Sequence, residues 1–485
     1  MSLSFPTLHA FAEHLEKAGE LVRIRERVSP ILEITEIADR VMKKEGPALL
    51  FESVEGSSMP LLINAYGSRR RMSWALGVDD FEEVAARIEG LLNMRPPDGM
   101  WEKIKMLPML AELASYPPKS VRSGACQDVV LPKPSLASLP IMKCWPLDGG
   151  RYITLGAVFS KDLDTGERNA GLYRVQVLGD NSCAMHWQIH HGGARHWRRA
   201  LELGRRIEAA VVLGGDPCMA YCASAPLPDP FDELLFAGFL RRSPVELVRC
   251  KTIDLEVPAE SDIVIEGYID PAEPLVKEGP FGDHRGFYSL EDDYPLFHVT
   301  AVTHRRDAVY PSTIVGVPPM EDKWLGHASV RLFLPAIRKI LPEIVDMALP
   351  CEGVFHNLAI VSIRKQYPGH ARKVMNALWG LGQMMLEKII VVVDEDVNVE
   401  NYAEVLWRAS SSFDPARDLL LVEGPLDALD HAALRPNYGG KMGLDCTRKD
   451  PGDGFGRPWP PLIRMSDEVK KKVDAMWARL GISLK

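Results

Sequence analysis

Ile263-Val-Ile-Glu-Gly-Tyr-Ile269, followed by Phe297-His-Val-Thr-Ala-Val-Thr303, decides how the middle of this chain folds. Most positions in both runs are β-branched or aromatic, and they partly alternate, as strands with one buried face do. Working outward, Tyr152-Ile-Thr-Leu155 and Tyr173-Arg-Val-Gln-Val177 repeat the pattern. Helical spacing interrupts it only near 196–207 and 231–241. Residues 119–316 are therefore expected to form a β-barrel or sandwich decorated by helices, able to wall a ligand on one side.

On the N-terminal side, Leu8, Phe11 and Leu15 share a helical face, Gly19 stops that helix, and Leu21-Val-Arg-Ile24 reads as a strand. A second helix over 34–43 leads into Ala48-Leu-Leu-Phe51. Residues 1–118 thus read as a small α/β domain, with 96–118 as a crossing segment. On the C-terminal side, Leu358-Ala-Ile-Val-Ser-Ile363 and Lys388-Ile-Ile-Val-Val-Val393 are continuous apolar runs separated by a helix over 370–386. A helix over 402–410 and the strand Leu419-Leu-Leu-Val422 continue the alternation. Residues 317–485 are expected to be an α/β domain of parallel βαβ units. Its terminal helix, 466–480, carries Val469, Val473, Met476, Trp477 and Leu480 on one side and stops at Gly481. It packs either on its own domain or on a partner subunit. The fold class is multidomain α+β and α/β, and loops at 318–327 and 435–440 are expected to shape a pocket.

The bulk numbers bound the function. At 485 residues with 46% hydrophobic and 25% charged side chains, the chain is globular. A net charge of −9 excludes binding that rests on neutralising phosphates, so no nucleic-acid partner is expected. The run Arg69-Arg70-Arg71 reads as a solvated loop. Eight cysteines without a C-x-x-C pair read as reduced, mostly buried thiols. There is no secretory signal and no apolar stretch of about 18 residues. A cytoplasmic protein without a membrane span is expected.

The sequence lacks a P-loop, a nucleophile elbow and a strand-linked dinucleotide fingerprint. Gly380-Leu-Gly382 reads as part of a helix. His186-Trp-Gln-Ile-His190 has zincin spacing but no glutamate after the first histidine. Three features remain. Asn169-Ala-Gly-Leu-Tyr-Arg174 is, by itself, ordinarily a turn asparagine and a surface arginine. His186, His190 and His191, followed by Gly192-Gly193, are either metal ligands or loop histidines. Glu278-Gly-Pro-Phe-Gly-Asp283 holds two carboxylates across a segment that must turn tightly. Such a turn can bring both acids to one small volume and separate their protonation states; solvated loop acids are the alternative.

Together, and in this order, Asn169 to Arg174, His186 to Gly193, Ala225-Pro-Leu-Pro-Asp-Pro-Phe-Asp-Glu233, Glu278 to Gly286 and Gly439-Gly-Lys441-Met-Gly-Leu-Asp445 resemble the UbiD family of reversible decarboxylases. Flanking segments such as Lys365-Gln-Tyr-Pro-Gly-His370 resemble it too, so the likeness spans nearly the whole chain. The resemblance implies a split β-barrel-like flavin domain at the centre, and prenylated FMN, Mn2+ and K+ as cofactors. It places Asn169, His186 and Glu233 on manganese, with His190 an alternative to His186. The main chain of Cys222, Ala223 and Ala225 would hold potassium. Leu172, Tyr173, Arg174, His186, Trp187, Gln188, His191 and Gly192 would line the flavin together with Asn169 and Glu233, and Lys441 would approach from the C-terminal domain.

The same resemblance makes Arg174, Glu278 and Asp283 the catalytic set. The modified flavin bonds transiently to the substrate and accepts its electrons, while Asp283 donates the proton and Glu278 sets its protonation state. Some relatives acting on cinnamic-type acids carry glutamate where this chain has Asp283. The short side chain resembles the 4-hydroxy-3-polyprenylbenzoate decarboxylase branch of ubiquinone biosynthesis and implies a hydroxylated aromatic acid, with naphthoate or cinnamate types as alternatives. Implied partners are a flavin prenyltransferase that supplies the cofactor and further copies of the chain, as a dimer or hexamer. Peripheral membrane contact is compatible with a prenylated substrate. From other classes, a flavin reductase-like flavoprotein would need neither both acids nor a manganese site, and a metal-dependent hydrolase would use the histidine cluster with Asp283 and His284.

Overall fold

The computed structural model describes residues 4–94, 111–188, 192–228 and 231–482. The central stretch forms a nine-stranded antiparallel sheet. Its order is Arg151–Ile153, Val175–Gly179, Ser182–Met185, Leu296–His304, Ile263–Ile269, Ile207–Leu213, Ala157–Lys161 and Arg168–Leu172, with Val129–Val130 added beside Leu296–His304. Leu172 ends one edge strand, yet Val175 begins a strand next to the opposite edge. Consecutive Cα atoms are about 3.8 Å apart, so the sheet must roll until its ends nearly meet. Thr154, Leu155 and Gly156 make the same jump between Arg151–Ile153 and Ala157–Lys161. The result is a split half-barrel, and Tyr173-Arg174 cross the split.

Strand alternation explains how this barrel is covered. Along Ile207–Leu213, Ala209, Val211 and Leu213 enter one core and Ala210 and Val212 the other, as a period of two requires. The N-terminal sheet feeds both cores in the same way, with Leu50 and Leu62 on one side and Leu49, Phe51, Leu61 and Ile63 on the other. That sheet runs Leu21–Val28, Ala48–Val54, Leu61–Ile63 and Tyr310–Ser312. Its last strand comes from far along the chain and pairs parallel with Leu61–Ile63.

The C-terminal sheet has cores of its own. Ala359, Val361, Ile390 and Val392 pack with Val330, Leu334, Ala371 and Val374 on one face, while Ile360, Val391 and Val393 meet Val405 on the other. Leu358–Ile363, Ile389–Asp394 and Tyr438–Asp445 are parallel neighbours, and burial on both faces makes the first two continuously apolar. Both edges are antiparallel. Ile344–Ala348 pairs with Leu358–Ile363, and Leu419–Pro425, read from sequence as one more parallel strand, folds back on Tyr438–Asp445.

Other local expectations change. Asp322–Ile340 is a 19-residue helix, so most of the expected loop 318–327 is helical despite Pro335 within it. Gly439 and Gly440 lie in a strand rather than a loop. The helix expected over 370–386 ends at Trp379, and Gly382, with φ +49°, begins a separate 3₁₀ turn. Arg69–Ala75 is a helix in which Arg71 is buried, bonded to Glu20 at 2.8 Å and to the Gly46 carbonyl. A solvated loop is excluded there. Residues 96–110 of the crossing segment lie outside the described residues. All eight cysteines are free and buried, and no described helix is long and apolar enough to cross a membrane.

Candidate active site

The two residues that cross the barrel split place Arg174 opposite the hairpin Val276–Glu278 and Asp292–Tyr294. Beyond Glu278 the chain turns at Gly279, whose φ of +100° a side chain would strain. Gln176 Oε1 accepts from the Gly279 amide at 2.8 Å, and Asp148 Oδ1 accepts from the Gly282 amide at 2.8 Å, so barrel residues pin both ends of the turn. Glu278 and Asp283 consequently meet on one guanidinium. Arg174 Nε and Nη2 each donate to a Glu278 oxygen at 2.9 Å, and Nη1 donates to Asp283. Ser289 Oγ accepts from Nη2 at 3.2 Å, and the guanidinium carbon lies 4.9 Å from the Phe281 ring centroid. Arg174, Glu278 and Asp283 are all buried.

Each acid also holds an imidazole. Glu278 Oε2 accepts from His186 Nδ1 at 3.0 Å, and Asp283 Oδ1 from His284 Nδ1 at 2.9 Å. Burial works to raise Glu278, but the His186 and Arg174 bonds outweigh it and hold the carboxyl at about 2. Burial also opposes ionisation of Asp283, and His284 with Arg174 drives it well below the ordinary carboxylate range. Asp283 therefore rests as a carboxylate, set by Arg174 and His284. Glu278 reaches it only through the shared arginine. Burial and the charge of Arg174 lower His186, leaving a neutral ring that donates from Nδ1 and accepts at Nε2 from Gln188 Nε2 at 3.5 Å.

Beside this cluster, Arg168–Leu172 brings Asn169 to Glu233, which starts the helix Glu233–Arg241. The Ala170 amide donates to Glu233 Oε2 at 3.2 Å. Burial pushes the Glu233 carboxyl up to about 7, against two backbone amides and the charge of Arg168. Together with Asn169 oxygen and an imidazole, that donor set fits a manganese-like ion. A Cβ on Gly192 would sit 1.9 Å from Asn169 Oδ1, so glycine alone lets the helix Gly192–Leu203 begin against Asn169. A helix start with no side chain at this point suits a phosphate. Tyr173 Oη accepts from the Gly193 amide at 3.3 Å, and Trp187 is buried, its indole Nε1 without a partner among the described residues.

The carbonyls of Ala223 and Ala225 each accept one amide, from Leu172 and Leu227 at 2.8 Å, leaving a second lone pair on each. Cys222 is buried beside them. Lys441 is buried in its own domain, where Nζ donates to the carbonyls of Met385 and Glu387. Burial lowers Lys441 to about 8, with Glu387 opposing. His190 and His191 lie outside the described residues.

Three family models match the chain. They describe the N-terminal domain of 3-octaprenyl-4-hydroxybenzoate carboxy-lyase over residues 12–88, its Rift-related domain over 119–318 and its C-terminal domain over 323–446. The chain belongs to the UbiD family. It is a carboxy-lyase of the UbiD class, which sets aside both the flavin reductase and the hydrolase. An uncharacterized protein of Aquifex aeolicus is 53% identical over 485 residues, covering 99% of this chain and 100% of that protein. The closed form of the vanillic acid decarboxylase of Sedimentibacter hydroxybenzoicus is 25% identical, with a TM-score of 0.85 and 99% of both chains covered. HmfF of Pelotomaculum thermopropionicum, in complex with FMN, is 29% identical with a TM-score of 0.78, covering 94% of this chain and 97% of that one. An evolved dimeric form of HmfF carries prFMN.

Sequence reasoning missed the residues that hold the UbiD site in place. Gln176, Asp148 and Ser289 carry no motif, and His284 is legible only as a companion of Asp283 in the hydrolase alternative, not as the ring that holds Asp283 in place.

Proposed function

We propose that this UbiD enzyme is a reversible, non-oxidative decarboxylase of a hydroxylated aromatic acid of the 4-hydroxybenzoate type. The observation that carries the reading is the sharing of one buried guanidinium by Glu278 and Asp283. Prenylated FMN, when bound, supplies the electron sink that loss of CO2 from an sp2 carbon requires. Asn169, His186 and Glu233 would hold Mn2+, and the carbonyls of Cys222, Ala223 and Ala225 would hold K+. Leu172, Tyr173, Trp187, Gln188, His191 and Gly192 would line the flavin, and Lys441 would reach it with its third Nζ proton.

Arg174 holds the two acids at fixed positions and presents positive charge to the substrate carboxylate. As the C–C bond breaks, CO2 leaves without its bonding pair, which is the pair the electron sink must accommodate. Asp283, having taken up a proton from solvent, gives it to the carbon that lost CO2 and is again a carboxylate. A ring hydroxyl makes this carbon nucleophilic, which a compact acid such as Asp283 suits; the likeness to a vanillic acid decarboxylase supports the same substrate class. The test is co-expression with a flavin prenyltransferase followed by a screen of aromatic acids. Hydroxybenzoates are expected to release CO2 and to exchange ring hydrogen for deuterium. Turnover confined to cinnamic or naphthoic acids would overturn the substrate class.

Two further outcomes test the parts. Glu233→Gln removes the charge the metal compensates, so manganese bound to the purified holoenzyme is expected to fall from stoichiometric to trace by elemental analysis. Unchanged manganese would remove Glu233 from the ligand set. The terminal helix Asp467–Trp477 has no buried residue, and Val469, Trp477, Leu480 and Ile482 stand 38–50% exposed. This apolar face is assigned to a second copy of the chain. Ending the chain after Met465 is expected to reduce the oligomer to a smaller species in light scattering; an unchanged mass would refute the assignment.

A further inference from the structure

A second group of metal-ligating side chains lies behind Asp283, where the central and C-terminal domains meet. His284 comes from the turn that carries Asp283, whereas His356 and Asp427 come from the C-terminal domain. One ligand atom from each lies within 4.8 Å of the others. The two imidazole planes stand at 87° with centroids 6.4 Å apart. His356 Nδ1 and Asp427 Oδ2 are 2.8 Å apart and share a proton that a cation would displace.

An independent feature points to a ligand on His284. Its Nδ1 is engaged by Asp283 Oδ1 at 2.9 Å, while the Asp283 oxygen also accepts the His284 amide at 2.7 Å. A ring so fixed by a carboxylate presents Nε2 outward, the arrangement that orients and strengthens histidine as a metal ligand. His186 repeats it with Glu278 on the other side of Arg174. Asp322, at the start of the helix Asp322–Ile340, adds a negative charge that acts on His284. The nearby cation, Arg285, is taken up by Asn357 at 2.8 Å and Asp430 at 3.7 Å, and stands 4.0 Å from Asp427.

We infer that His284, His356 and Asp427 form a binding site for a divalent transition cation of the zinc or cobalt type, separate from the manganese ligands and completed only when the two domains are together. Two imidazoles and one carboxylate favour such ions over magnesium or calcium. An ion held there would staple the C-terminal domain over the Arg174 cluster.

The test uses full-length protein carrying Glu233→Gln, freed of metal by chelation and titrated with Co2+. One equivalent is expected to bind with a visible d–d absorption band, and Zn2+ is expected to displace it. Adding His356→Ala or Asp427→Asn is expected to weaken Co2+ at least about 100-fold, and Asp283→Asn, which removes the carboxylate that orients His284, about 10- to 100-fold. The Glu233→Gln protein answers the question without altering the three ligands, so a variant that folds poorly does not obscure it. No cobalt band in that protein, or a band that His356→Ala and Asp427→Asn leave unchanged while their melting is native, would overturn the inference. The readout is binding, so it stands apart from whether the enzyme turns over any given acid.

Discussion

Asp283→Asn is expected to lower decarboxylation by at least about 10²- to 10⁴-fold, the usual contribution of a positioned acid, while the protein keeps its flavin. The isosteric amide still offers Arg174 an oxygen, so the buried ion pair with Glu278 and the turn around Gly279 persist. What it loses is the capacity to hold and release a proton. It also stops accepting freely from His284 Nδ1, so that ring turns or changes tautomer. Single-turnover kinetics in D2O would locate the loss in the proton-transfer step. Near-normal turnover with full cofactor would take Asp283 out of the chemistry.

The second large effect is on stability. Arg174→Ala leaves Glu278, which is wholly buried, and Asp283 as neighbouring carboxylates with no shared cation. Removing one partner of a buried pair costs about 3–5 kcal/mol, because the remaining charge keeps its desolvation penalty. The midpoint of urea unfolding is expected to fall accordingly. Arg174→Lys should recover only part, since an ammonium cannot bond both Glu278 oxygens and reach Asp283 as the planar fork does. Arg174→Met combined with Glu278→Gln and Asp283→Asn should recover more than Arg174→Ala alone, because no charge is then left unpaired. An Arg174→Ala protein that unfolds like the parent would show that the acids reach water or another cation.

How far this could be read from sequence depends on where each residue's partner lies. Leu358–Ile363 and Ile389–Asp394 were legible because burial on both faces leaves an uninterrupted apolar signature. The direction of Leu419–Pro425 was not, because an edge strand has the same composition whichever way it runs. Asp322–Ile340 runs on through Pro335, because one missing amide donor does not end a helix of 19 residues. Glu278 and Asp283 could be paired on paper because five residues of chain enforce their proximity. Their common partner Arg174 could be placed only through family likeness, since a barrel split brings it there from over a hundred residues away. His356 and Asp427 were invisible for the same reason. Each is a single residue with no local pattern, and only the packing of two domains unites them with His284.

The return of Tyr310–Ser312 to the N-terminal sheet bears on how the chain is made. At about 5–20 residues per second, the roughly 250 residues between Ile63 and Ser312 take some ten to fifty seconds to emerge from the ribosome. For that time Leu61–Ile63 offers an unpaired apolar edge, a template for the wrong strand. The nascent chain has a long interval in which a chaperone, or a neighbouring copy still being translated, can reach that edge before its own strand does.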